Sequence, residues 1–144
     1  MSDTAGAFLL AGRIIFGAFF GLFAGIGGHL TKSKMMEEYA RSMRFPVPDI
    51  AGWPTGVWLV LGSLSIALGI WPDIGALMIA AFVVPAAAYF HRFWEVEDPM
   101  QVMMQQGFFF RNGIALAACL FMFGTFAGLG DQVPFTITDP AFDF

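Results

Sequence analysis

Five side chains in this sequence are suited to chemistry at a ligand: His29, Tyr89, His91, Arg111 and Asn112. An imidazole ordinarily changes charge between pH 5 and 8. Tyrosine, arginine and asparagine add hydrogen-bond donors. A quinone head group calls for that combination, with donors for two carbonyls and a proton carrier that works near neutral pH. A non-covalently held quinone is therefore the cofactor these residues would suit. Plainer roles stand beside this one. His91-Arg92 also reads as a stop-transfer boundary, and Trp94 as an interface anchor. No other catalytic pattern is present: no HExxH helix, no GxSxG elbow, no phosphate loop and no Cys/His metal pattern. Cys119 is the one cysteine, which excludes an internal disulfide and a CxxC pair. A net charge of -4 gives nucleic-acid binding no support.

The elements that must position these residues are helices in lipid. Apolar residues form 58% of the chain and charged ones 12%, with a mean hydropathy of +0.71. Soluble domains run at about 45–50% and about 25%. A soluble chain of 144 residues has too much surface for its core to hide this apolar excess, so a lipid bilayer is the expected partner. One domain over residues 1–144 is the default at this length. Four apolar segments, at about 7–28, 54–71, 74–89 and 107–130, predict an all-α fold, a bundle of four transmembrane helices. The second and third are short and joined at Trp71-Pro72-Asp73, which makes them a helical hairpin. The first lacks a basic leader and an A-x-A-like site, so it reads as a retained span.

The loops carry the orientation. In the first, apolar residues at 35, 36, 39, 40 and 43 share one helical face, which predicts a short interfacial helix ended by Pro46 and Pro48. Asp98-Pro99 reads as an N-cap pair that starts the last helix well before its apolar part. Lys32, Lys34, Arg41, Arg44 and Arg92 all fall in the first and third loops. The positive-inside rule places those loops in the cytoplasm and both termini outside. Gly17, Gly21 and Gly25 make a small-residue row that lets another backbone approach, and Arg13 extends it. Arg13 is expected to snorkel outward to Asp73 or Asp131. Arg111 lies deep enough to need compensation, from Glu95, Glu97 or a ligand.

The chain resembles the DoxX family of small four-helix membrane proteins. The resemblance is carried by Gly12-Arg13-Ile14-Ile15-Phe16-Gly17, by the run Leu61 to Gly69, and by Tyr89-Phe90-His91-Arg92-Phe93-Trp94 followed by Asp98-Pro99 and Phe110-Arg111-Asn112-Gly113. An acid that many members carry near the start of the second helix is missing at Val57 to Leu59. The resemblance implies a multi-pass protein of a bacterial-type inner membrane. It also implies a subunit of a quinone-linked oxidoreductase such as thiosulfate:quinone oxidoreductase, or of another membrane redox assembly. A non-catalytic accessory subunit that holds other membrane proteins is the alternative. A small oligomeric transporter is weakened by two apolar segments without charge.

Overall fold

The computed structural model describes residues 2–144, and every regular element among them is helical. Helix α1, Asp3–Ala18, starts at Ser2, whose hydroxyl accepts the Ala5 N–H at 3.3 Å. It continues unbroken into a π-helical segment, Phe19–Leu30. The glycine row suggests why the helix widens. An α-helix turns about 100° per residue, so a four-residue repeat drifts about 40° per step. The i→i+5 bonding of a π-helix works against that drift. Gly17, Gly21 and Gly25 all stay buried against α3, Trp53–Leu68. A Cβ at Gly17 would stand 2.8 Å from the Ser63 carbonyl oxygen, and one at Gly25 would stand 3.2 Å from that of Gly56. The row is the close helix contact that its spacing predicts.

Helix α2, Ser33–Ser42, is the short helix expected in the first loop; an Arg41–Asp49 ion pair ties it to the turn Pro48–Ile50. Helix α3 ends at Gly69, whose φ of 69° is left-handed and suits glycine. Helix α4, Pro72–Pro85, then runs back along α3. Pro85 has no N–H, so the Ala81 carbonyl loses its α-helical donor, and the chain widens into a π-helical turn, Ala86–Phe90. Asp98 caps the 31-residue α5, Pro99–Leu129, by accepting the Gln101 N–H at 2.9 Å, as the Asp-Pro pair predicts.

Three helical runs are long and apolar enough to cross a membrane: Asp3–Leu30, Pro72–Glu95 and Pro99–Gln132. Helix α3 is apolar but has only 16 residues, about 24 Å at 1.5 Å per residue. It packs on the first helix and on α4, and α5 packs on α4. Leu59, Ile66, Ile79, Val83 and Cys119 form the buried core.

The first and third loops meet at one end, where Arg92 Nη2 donates to the Met43 carbonyl at 3.0 Å and the Phe45 ring packs on Tyr89 and Phe90. At the other end, the C-terminal tail folds back over the α3–α4 turn. Ile137 and Thr138 donate backbone N–H to the Gly69 carbonyl at 2.9 and 3.0 Å. Arg13 lies here, but not as its expected pairing with Asp73 or Asp131 requires. It is 1% exposed and donates to the carbonyls of Ile66 (2.8 Å), Ala67 (3.3 Å) and Pro134 (3.3 Å). The last carbonyls of a helix have no partner inside it and carry its negative pole. At α3 they are nearer to Arg13 than any carboxylate. Asp73 is fully buried and accepts the N–H groups of Ala141 (3.1 Å) and Phe142 (2.8 Å). The acidic, aromatic tail is thus an integral strap.

Candidate functional site

The end away from the strap holds a cavity of about 560 Å³, within the range of about 300–1,000 Å³ typical of ligand sites. Its walls come from the end of the first helix, from α2, from the start of α3 and from α4 around Pro85. Each wall has a local cause. The π-helical segment brings His29 round to the cavity. The amphipathic α2 turns Met36 and Tyr39 toward it. The proline break opens α4 between Ala81 and Ala86. π-Helical turns recur at functional sites because they re-aim side chains. Here two such segments border one cavity.

His29 and His91 both face it. The His29 ring donates from Nδ1 to the Ala51 carbonyl at 2.5 Å and stands edge-on to Phe82. A carbonyl can only accept, so the tautomer is fixed with Nδ1 protonated. His91 Nδ1 donates to Gln105 Oε1 at 2.9 Å. The remaining polar groups on the wall are Tyr39, Thr55 and Trp58. Each donates to a backbone carbonyl: Tyr39 to Phe90 (3.4 Å), Thr55 to Ile50 (2.6 Å) and Trp58 to Met78 (2.7 Å).

The other three sequence candidates stand apart from the cavity wall. Tyr89 packs edge-on against Phe45. The Arg111 guanidinium is exposed and lies over the Phe108 ring, 4.8 Å from its centroid. Asn112 donates to the Phe108 carbonyl at 3.0 Å. Phe108 also packs on His91, with ring centroids 5.3 Å apart, so the histidine and Arg111 contact the same ring. Among the described residues, no carboxylate pairs with Arg111; Glu95 pairs instead with Arg92 at 3.0 Å. The compensation expected for Arg111 is supplied by an aromatic face.

The DoxX family model matches residues 8–92. The chain belongs to the DoxX family. The match takes in both histidines and every wall of the cavity, whereas α5 lies beyond it. No curated protein and no solved structure matches the chain. This DoxX protein is an integral membrane protein by its family and its apolar helices, which lie in contact with the bilayer.

Sequence reasoning found the two histidines and missed Tyr39, Thr55 and Trp58. Pro85 was the available signal. A proline inside an apolar helix frees a carbonyl and opens the wall beside it.

Proposed function

We propose that this DoxX protein is a membrane subunit of a redox assembly, and that its cavity holds a lipidic quinone-class ligand. The observation that carries the reading is the meeting of two imidazoles, from separate parts of the chain, on the wall of one largely apolar cavity. An apolar wall suits a ring and an isoprenoid tail, and few polar groups are needed to orient a head. Of the five candidates from sequence, His29 and His91 would touch the head. Arg111, Asn112 and Tyr89 would act through Phe108 and Phe45, which they contact.

The test is mild detergent extraction followed by mass spectrometry of bound lipids. Ala86→Trp should lower bound quinone by about tenfold or more, because overfilling a packed site costs about 1–3 kcal/mol. A wild-type protein that carries no quinone-class lipid would sink the reading.

In the proposed orientation all four apolar helices cross, α3 being completed by its flanking turns, in a bacterial-type inner membrane. The basic first and third loops face the cytoplasm, α2 lies along the interface, and the strap faces outward. Single cysteines at Lys34 and Asp139, both exposed, should label from opposite sides. Labelling from one side would overturn the orientation.

Helix α5 favours a second reading, an accessory subunit that holds partner helices. Its Gly107, Gly113, Gly124 and Gly128 face open space, and Phe110, Ile114 and Phe121 are exposed. Co-purification of a stoichiometric membrane partner without quinone would favour it.

A further inference from the structure

Every side-chain donor on the cavity wall is committed, and both imidazoles keep a free acceptor. Tyr39, Thr55 and Trp58 each direct their one proton to a backbone carbonyl of the protein. His29 gives its Nδ1 proton to Ala51, and His91 gives its own to Gln105. A neutral imidazole with Nδ1 protonated carries a lone pair at Nε2. Neither Nε2 has a hydrogen-bond partner among the described residues, and neither is a sealed, orphaned atom. Ala81, also on the wall, has a carbonyl without its α-helical donor. Its carbonyl cannot be reached by Pro85, and the Ala86 N–H goes to Phe82 and Val83 instead.

An oxidised quinone offers only carbonyl oxygens, which accept. Against these two imidazoles it would leave lone pair facing lone pair, and unpaired polar groups in an apolar site are costly. The reduced form carries two hydroxyls, and each can donate. We propose that the cavity selects the hydroquinone, or quinol, form of its ligand, with one ring hydroxyl donating to His29 Nε2 and the wall's other acceptors serving the second. This rests on the reading of the cavity as a quinone-class site and adds the redox state that it recognises. His29 carries the point most firmly, because the backbone carbonyl opposite its Nδ1 can only accept.

The test measures binding to the purified full chain in detergent, without oxygen, at about pH 8, above the ordinary imidazole pKa of about 6.5. The probes are a benzoquinone with a ten-carbon tail, its two-electron-reduced quinol, and the dimethyl ether of that quinol. The ether keeps the quinol's ring and tail but cannot donate. The quinol is expected to bind about tenfold more tightly than the quinone or the ether, as one added hydrogen bond in a dry site implies. His29→Leu should abolish the quinol's preference, read as the ratio of quinol to quinone affinity falling about tenfold toward one. Where His29→Leu fails to fold, the ether comparison in the wild type decides alone. Equal or tighter binding of the quinone, or an ether that matches the quinol, overturns the selectivity and leaves the quinone-class reading standing. Binding of none of the three probes overturns both.

Discussion

Arg13→Met should destabilise the all-α fold by about 2–4 kcal/mol. Each hydrogen bond from a charged donor contributes about 1.5–3 kcal/mol, and the residue makes three. Removing an intramembrane cation returns at most about 2.5–3.5 kcal/mol, and less toward the bilayer edge, so the loss outweighs the gain. Two of the bereaved carbonyls, at Ile66 and Ala67, belong to the last turn of α3, and the third, at Pro134, belongs to the strap. No other cation is positioned to replace the guanidinium among the described residues. Lysine should recover only part of the loss, since one ammonium on a flexible stem cannot reproduce the fork that reaches two chain segments. Equilibrium unfolding in mixed detergent micelles measures this, with Arg111→Met as the comparison. Arg111 is exposed and stacked on a single ring, so its removal should cost under about 1 kcal/mol. An Arg13→Met protein as stable as the Arg111 variant would show that the arginine is a bystander at the α3 terminus.

The contrast between those arginines shows what the sequence could tell. Both were visible as charges inside apolar segments, and depth alone made each look in need of a partner, a carboxylate for Arg13 and a carboxylate or a ligand for Arg111. Helix identity and the glycine row were legible because they depend on local spacing. Gly17, Gly21 and Gly25 face α3 as a four-residue repeat demands, and Asp98-Pro99 starts α5 where the pair predicts. Partners were not legible, because the nearest acceptor to Arg13 is a set of backbone carbonyls, and backbone carbonyls leave no mark in a sequence. The site divides along the same line. His29 and His91 stood out by residue type and reach one cavity, although 62 positions separate them. Arg111 and Asn112 stood out equally, yet neither lines the cavity; both contact Phe108, which in turn packs on His91. A rotation of one helix about its axis is set by long-range packing, and α5 has a weakly sided apolar surface that does not record it. Tyr39 read only as part of the apolar face of a loop helix, and Thr55 and Trp58 only as part of an apolar segment; their place on the wall depends on where a loop folds back.

Asp73 supplies the other large expected effect. Its carboxylate is fully buried in the first turn of α4, with no cation paired to it among the described residues. Two things hold the charge there: the positive pole of the α4 N-terminus, and the N–H groups of Ala141 and Phe142. Those two bonds pin the last residues of the strap, whose Phe142 and Phe144 rings pack on Phe123 of α5. Asp73→Ala leaves both N–H groups without an acceptor, and the expected loss is about 2–4 kcal/mol, most of it in the strap. Asp73→Asn keeps one accepting oxygen but turns a donor toward the second N–H, so it should fall between alanine and the native residue. Limited chymotrypsin digestion in detergent reads the strap directly: the bonds after Phe135 and Phe142 should become cleavable in the alanine variant while the apolar helices stay intact. Arg13 and Asp73 hold different parts of the same strap, at Pro134 and at Ala141–Phe142. Their substitutions should therefore not add, because a strap released by one change cannot be released again by the other. A double variant that loses the full sum of the two single effects, with a strap as protected as in the wild type, would separate the two residues and refute the shared role.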